Sequence, residues 1–218
     1  MNLGAVDTVH CMGAGINQAA GFYHAFRLSG QKIPPIIATI GDSTFFHAGL
    51  PAVLNAVVQQ ARFLLVILDN GTTAMTGHQP TPESGCTAWG GPAPVIHPED
   101  LLRATGVRFV AVCDPYDVPT CQKLLQEAWH FSQEPAGGLA VIIARHPCVL
   151  TQAGRPLRQH LEVTEDCIAC HHCLENFECP ALVAAPATGL VSIDQVLCSG
   201  CGVCVHVCPS GAIVSRDT

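Results

Sequence analysis

Between residues 1 and 150, unbroken apolar stretches alternate with segments whose apolar positions recur at helical spacing. Ile33–Ile40 (IPPIIATI) is a β-branched run that reads as a strand ending at Gly41-Asp42. Ala48–Ala61 (AGLPAVLNAVVQQA) carries the helical pattern, and Phe63–Leu68 (FLLVIL) reads as a buried strand ending at Asp69-Asn70. Pro98–Thr105 is expected to be a helix stopped by Gly106, followed by a strand over Val107–Val112. Val118–Phe131 then reads as a helix and Leu139–Ala144 as another buried strand. Strands apolar on both faces and separated by helices predict an α/β fold built on a parallel sheet covered on both sides.

The pattern changes after residue 150. Gln152–Leu161 (QAGRPLRQHL) is more polar and holds two of the ten basic residues, which marks 151–162 as a linker. From Val163 onward, short apolar pieces are set between dense Cys, Gly and Pro. The run Cys167-x-x-Cys170-x-x-Cys173 recurs 31 residues later as Cys198-x-x-Cys201-x-x-Cys204. Each run ends in Cys-Pro and a short apolar strand, Ala181–Val183 or Ala212–Val214. Two such halves are expected to stack, because neither carries enough apolar surface for a core of its own.

Composition narrows the function classes. The chain of 218 residues is 49% hydrophobic and 12% charged, the opposite of a disordered composition. A net charge of −7 argues against a nucleic-acid-binding surface. No apolar run approaches the roughly 20 residues of a membrane span, and MNLGAVDTVH has no basic segment leading into an apolar stretch. The expectation is a soluble cytoplasmic protein. Of its 13 Cys, eight fall between Cys167 and Cys208, while Cys11, Cys86, Cys113, Cys121 and Cys148 are scattered. In a reducing compartment, clustered Cys point to metal rather than to disulfides.

The second run, Cys198, Cys201, Cys204 and Cys208-Pro209, has the C-x₂-C-x₂-C-x₃-C-P spacing of two-cluster iron–sulfur domains. The first, Cys167, Cys170, Cys173 and Cys179-Pro180, differs only in five residues before its last Cys, which lengthens a loop. In such domains the fourth Cys ligates the other cluster. The expected sets are therefore Cys167, Cys170, Cys173 and Cys208 for one [4Fe–4S] cluster, and Cys198, Cys201, Cys204 and Cys179 for the second. Three thiolates on one tight loop cap three irons of a cube, and Gly200 and Gly202 let the backbone approach the sulfides. Structural zinc is the competing reading, but it prefers separated C-x₂-C pairs. Residues 163–218 resemble bacterial ferredoxins, which implies low-potential one-electron transfer by a small α+β two-cluster domain.

Asp42 and Asn70 each end a predicted strand of one βαβ unit, so both reach the C-terminal edge of a parallel sheet, where such sheets bind ligands. A carboxylate and an amide oxygen suit Mg²⁺ when a diphosphate completes its shell. Gly41 and Gly71 allow close backbone approach, and a helix starting near Phe46–Ala48 is expected to aim its N-terminus at the anion.

Gly41-Asp42-Ser43, with Asn70 27 positions after Ser43, resembles the thiamine diphosphate motif Gly-Asp-Gly … Asn-Asn. Ser43 stands where the motif has its second Gly, and Asp69 where it has its first Asn. The wider text, HCMGAGINQAAG, GDSTFFHAGLPAVLNAV and LDNGTTAMTGHQPTP, is similar to the 2-oxoacid:ferredoxin oxidoreductases, and within them to the large subunits of those acting on indolepyruvate. The resemblance covers nearly the whole chain. It implies a thiamine diphosphate-binding domain over 1–150 followed by the ferredoxin-like domain over 163–218. It implies Asp42, the Asn70 side chain and the Thr72 carbonyl as Mg²⁺ ligands. Gly41, Ser43, Gly71 and Thr73 would line the diphosphate, and Met12-Gly13 would approach the aminopyrimidine ring.

The implied activity is oxidative decarboxylation of an aryl 2-oxoacid to its acyl-CoA, with electrons leaving through the clusters to an external ferredoxin. In the family the Glu that activates the coenzyme lies on a separate pyrimidine-binding domain. The sequence is expected to lack that domain and to start partway into the thiamine domain, without the family's first strand and Cys-rich opening stretch before Val6-Asp7. It reads as either the C-terminal portion of a longer subunit or one chain of a split enzyme. The implied partners are thus that domain or subunit, the smaller second subunit, ferredoxin, the 2-oxoacid and coenzyme A. A competing reading is an electron-transfer subunit with a vestigial thiamine fold.

Other residues carry weaker signals. His47, His78 and Gln79 lie near the predicted edge and could meet a substrate carboxylate or simply bond local carbonyls. His47 and His78 are the catalytic candidates. His171 and His172, inside the first cysteine loop, are expected to shape solvent access rather than bind iron. Cys11, Cys113, Cys121 and Cys148 have apolar neighbours and are expected in the core; Cys86 follows Gly85 in a Pro/Gly-rich loop.

Overall fold

A computed structural model describes residues 6–151 and 159–216. Thr8–Cys148 forms one compact unit, and the chain from Val149 onward belongs to another. Residues 152–158 of the expected linker lie outside the described residues. Its end is already a strand, because β5 (Leu161–Val163) begins there.

The first unit is built on four parallel strands, β1 (Ile37–Gly41), β2 (Leu64–Asp69), β3 (Phe109–Cys113) and β4 (Ala140–Arg145), in the spatial order β1-β2-β4-β3. β1 starts four residues later than its apolar run, since Pro34-Pro35 has no N–H to give a ladder; pairing opens where Leu64 N donates to the Ile36 carbonyl. One face of the sheet (Ala38, Ile40, Leu65, Ile67, Val141, Ile143) packs with α1 (Gly15–Ser29) and α3 (Leu50–Val58). On the other face Leu64, Ala140 and Ile142 meet α5 (Val118–Gln133) through Ala128, Leu124 and Leu125. α4 (Pro98–Ala104) closes the first layer with Leu102. Two-sided burial explains why β4 reads as an unbroken apolar run.

Two differences from the sequence reading concern helices. α1 is absent from the apolar pattern because its buried stripe, Ile16, Ala19, Ala20 and Tyr23, relies on small alanines and is interrupted by Gly21. The helix after β1 does not begin near Phe46–Ala48. It begins directly at Asp42, as α2 (Asp42–Thr44), a π-helical turn (Phe45–Gly49) and then α3. The π turn inserts Phe45 fully into the core.

In the second unit, β5 pairs antiparallel with β8 (Ile213–Ser215), and β6 (Leu182–Ala184) with β7 (Val191–Ile193). Two short helices, α6 (His172–Glu175) and α7 (Val203–Val207), follow the cysteine loops. Each repeat is strand, cysteine loop, helix, strand, yet each strand pairs with one from the other repeat. The shared core of Leu161, Leu182, Val191, Ile213, Cys173 and Cys204 is buried between them. No helix among the described residues is long and apolar enough to cross a membrane.

Candidate functional site

The register Gly41↔Leu68 sets Asp42 beside Asp69 at the C-terminal edge of the sheet. Asp42 is 3% exposed. Its Oδ1 accepts from Ser43 N at 2.6 Å, whereas Oδ2 is buried with no hydrogen-bond partner. Burial pushes the Asp42 carboxyl above its ordinary range and the Asp69 carboxylate adds to the push, against the N–H groups of Ser43, Gly71 and Asn70. A buried carboxylate oxygen without a partner is costly unless something cationic meets it. A hard divalent cation fits that demand.

The turn after β2 is closed by its own side chains. Asn70 Oδ1 accepts from Thr72 N at 3.0 Å, and Asp69 Oδ1 accepts from Gly71 N at 3.1 Å. Both arrangements are Asx turns. Each leaves acceptor capacity on the Asn70 amide oxygen and on the Thr72 carbonyl, which takes one bond from Ala74 N. Thr73 Oγ1 donates to Ser43 Oγ at 2.9 Å, joining this turn to the one after β1. Gly13, at φ +86°, would place a Cβ 2.9 Å from Ala48 Cβ, so the backbone of the loop before α1 approaches the same helical segment that Asp42 starts. Met12 beside it is 82% exposed.

His47 and His78 are both exposed, and no hydrogen bond or ion pair is found from either imidazole to Asp42 or Asn70. The Gln79 side chain serves its own loop, with Nε2 donating to the Thr76 carbonyl. Of the cysteines expected in the core, Cys113 is buried and Cys121 and Cys148 are partly buried, but Cys11 is exposed. Cys11 precedes a tight turn in which Ala14 N bonds its carbonyl, and that turn holds it out of the α1 stripe.

In the second unit the cysteines fall into two neighbourhoods. Cys173 is raised above the ordinary thiol range by burial and then by Cys208, Cys170 and Cys167. Cys204 is pushed up to about 11 by burial and then by Cys201, Cys179 and Cys198. Each neighbourhood is three thiols from one repeat and the last Cys of the other. Four thiolates at about 2.3 Å from one zinc would lie within about 4 Å of each other. Among the described residues, no three cysteine sulfurs lie within 4.8 Å of one another. Cys208 differs: burial raises it, but the Ser210 hydroxyl and the N–H groups of Ala212, Ser210 and Ile213 outweigh that and hold it below the ordinary value.

The loops show how the two repeats solve one problem differently. Gly200 and Gly202 adopt φ +71° and +77°; the equivalent places in the first repeat are Ala169 (φ 51°) and His171 (φ 58°). His171 is held by Nε2 against the Gly189 carbonyl at 2.7 Å, and His172 by Asn176. Neither imidazole is turned to a sulfur by those bonds.

Sequence reasoning did not find Arg145. Its Nε donates to Asp69 Oδ2 at 2.7 Å, and its terminal nitrogens donate to both Glu99 oxygens at 3.1 and 2.8 Å. The one available signal was Asp69 itself, an acid where the motif has an amide, which calls for a cation without saying which.

Comparison with known proteins agrees with this geometry. A family model for the thiamine pyrophosphate enzyme, C-terminal TPP binding domain, matches residues 4–144, and one for a 4Fe-4S binding domain matches residues 191–214. The chain is 44% identical over 215 residues to indolepyruvate oxidoreductase subunit IorA of Archaeoglobus fulgidus, covering 97% of this chain and 32% of that one. IorA of Methanothermobacter marburgensis is 42% identical over 212 residues, covering 96% and 32%. The chain thus spans about a third of the length of these curated relatives. A solved 2-oxoglutarate:ferredoxin oxidoreductase from Magnetococcus marinus shares the fold, with a TM-score of 0.51 at 20% identity over 62% of this chain and 45% of that one. With its parallel sheet, its strand-end site and the match over residues 4–144, the chain belongs to the thiamine pyrophosphate enzymes and carries their C-terminal TPP-binding domain ahead of a 4Fe-4S binding domain.

Proposed function

We propose that the chain supplies the coenzyme-anchoring and electron-transfer parts of a 2-oxoacid:ferredoxin oxidoreductase acting on aryl 2-oxoacids such as indolepyruvate. The observation that carries the reading is the buried, unpartnered Asp42 Oδ2 at the sheet edge, in a chain that also gathers two sets of four thiols. The IorA relatives support the aryl substrate class. A pyrimidine-binding domain or subunit, the smaller subunit, ferredoxin and coenzyme A are the partners this function requires, and the cytoplasm is the compartment.

Bound at this edge, thiamine diphosphate would supply the nucleophilic carbon and the electron sink for decarboxylation. Asp42, the Asn70 side chain and the Thr72 carbonyl hold Mg²⁺. Gly41, Ser43, Gly71 and Thr73 line the diphosphate, where the Ser43–Thr73 hydroxyl bridge keeps the two turns together. The Met12-Gly13 backbone would approach the aminopyrimidine ring. Cys167, Cys170, Cys173 and Cys208 hold one [4Fe–4S] cluster; Cys198, Cys201, Cys204 and Cys179 hold the other. The C-x₂-C-x₂-C spacing supports cubes over zinc, which prefers separated C-x₂-C pairs. Held there, the clusters would supply one-electron transfer toward ferredoxin, with coenzyme A as the acyl acceptor of the overall reaction.

The test is 2-oxoacid-dependent viologen reduction by the anaerobically assembled complex, with thiamine diphosphate and Mg²⁺ added or withheld. Reduction by indolepyruvate that needs both additions is expected. A complex with its iron in place but no reduction by any 2-oxoacid would leave only an electron-transfer subunit.

A further inference from the structure

Five ionisable side chains converge behind the turn after β2. Asp69, with its side chain 1% exposed, pairs with Arg145 across the β2–β4 ladder, where the two residues are in register. The Arg145 guanidinium also meets Glu99 through both oxygens and Glu83 Oε1 at 2.8 Å. His97 Nδ1 lies 3.0 Å from the same Glu83 oxygen. The ligand atoms of Glu83, His97 and Glu99 are close enough to hold a metal ion, but the guanidinium already lies among these carboxylates as their cation. Arg145 is therefore spread over three acids, and only the fork of an arginine serves them together.

The acid that matters most is Asp69. Its Oδ2 is taken by Arg145 and its Oδ1 by Gly71 N, so both oxygens are occupied although Asp69 lies close enough to Asp42 to act on its carboxyl. The backbone is tied in the same way: His146 N donates to the Asp69 carbonyl at 2.9 Å, and Cys148 N to the Asn70 carbonyl at 3.1 Å. Were Asp69 released, its carboxylate would stand unneutralised beside Asp42, and the Gly71 N–H would lose its bond to Asp69 Oδ1. Two adjacent buried carboxylates repel, and one of them would have to take up a proton or capture a cation.

We propose that Arg145 is a positioning residue for the Mg²⁺–thiamine diphosphate site, acting through Asp69. It neutralises the acid that replaces the motif's amide, fixes the Asp69–Gly71 turn, and keeps Asp69 from competing with Asp42 for the metal. The inference rests on the proposed coenzyme function, and it makes a specific claim about charge. At the turn, Asp69→Asn removes the need for Arg145, because an amide oxygen still accepts from Gly71 N and carries no charge to neutralise, while Glu83 and Glu99 still draw on the guanidinium away from the turn.

The experiment is a double-mutant cycle of Arg145→Met and Asp69→Asn in the assembled enzyme. It is read by titration with Mg²⁺ and thiamine diphosphate and by deuterium exchange of the segment containing Gly71. Arg145→Met is expected to weaken coenzyme binding tenfold or more and to speed exchange in that segment. Asp69→Asn alone should change either by less than threefold, and the double variant should return close to it. Arg145→Lys, which keeps a charge but not the fork, covers the case in which Arg145→Met does not fold; it should fall between wild type and Arg145→Met. Unchanged binding and exchange in the Arg145 variants, or a loss that Asp69→Asn does not repair, overturns the inference. Wild type that fails to bind the coenzyme overturns the proposed function instead, and the exchange measurement still decides whether Arg145 fixes the turn.

Discussion

Thr73 Oγ1 and Ser43 Oγ, 30 residues apart, share a hydrogen bond of 2.9 Å that bridges the turns following β1 and β2. Ser43 is the residue that departs from the glycine of the thiamine motif, so the departure is matched by a partner. A net hydrogen bond of about 1 kcal/mol corresponds to roughly a fivefold effect. Ser43→Ala and Thr73→Val are each expected to weaken coenzyme binding about fivefold. The double variant should be no worse than either single one, because the same bond is lost. Isothermal titration of the four proteins checks the coupling.

Asp42→Asn separates binding from folding. The buried Oδ2 has no partner within the protein, so the ionised side chain does not stabilise the fold without a cation. The variant is expected to unfold at a temperature equal to or above that of wild type without metal, and to lose Mg²⁺-dependent coenzyme binding by more than tenfold. A Tm that falls well below wild type would mean that Asp42 serves the fold rather than a cation.

Glu99 gives the first unit an acid dependence. Hydrogen bonding to the Arg145 guanidinium holds its carboxyl below its ordinary 4.5, against burial. The folded state therefore gives up this proton more readily than the unfolded chain. The stability it contributes is present above about pH 4.5 and is lost as the pH falls through the lower folded value. In thermal melts, the gap between wild type and Glu99→Gln should be widest above pH 5 and should close as the solution is acidified below 4.5.

Much of this was legible from the chain, for reasons particular residues make plain. Phe63–Leu68 and Leu139–Ala144 are apolar throughout because their strands are covered on both faces, and that leaves an unmistakable run. α1 left none, since alanines make its buried stripe. Asp42 and Asn70 were found because strand ends in a βαβ unit must converge. Arg145 was not, because it reaches Asp69 from 76 residues away along β4, which no local spacing records. The cysteine triplets showed their loops, but the pairing of β5 with β8 and β6 with β7 is a property of the folded pair of repeats. Exposed Cys11 was misread because apolar neighbours in sequence do not imply apolar neighbours in space.

The exchange of the last cysteine between repeats is open to direct test. Cys179 neighbours Cys204, and Cys208 neighbours Cys173, although each belongs to the other run. Cys179→Ser should alter the magnetic resonance signal of the cluster on Cys198, Cys201 and Cys204 while leaving the other intact, and Cys208→Ser should do the reverse. Pairing each with a substitution in the two triplets identifies the signals. Both serine variants disturbing the cluster of their own run would assign the ligands by repeat instead.

In the proposed function, one chain joins a thiamine diphosphate site to a pair of [4Fe–4S] clusters that would receive its electrons. Anaerobic stopped-flow absorbance of the assembled enzyme, mixed with indolepyruvate and no external acceptor, measures this transfer. Bleaching of the iron–sulfur band that requires both thiamine diphosphate and Mg²⁺, and that disappears in Asp42→Asn with its iron content unchanged, is the predicted result. Clusters that stay oxidised with coenzyme and substrate present, yet reduce readily with dithionite, would contradict it.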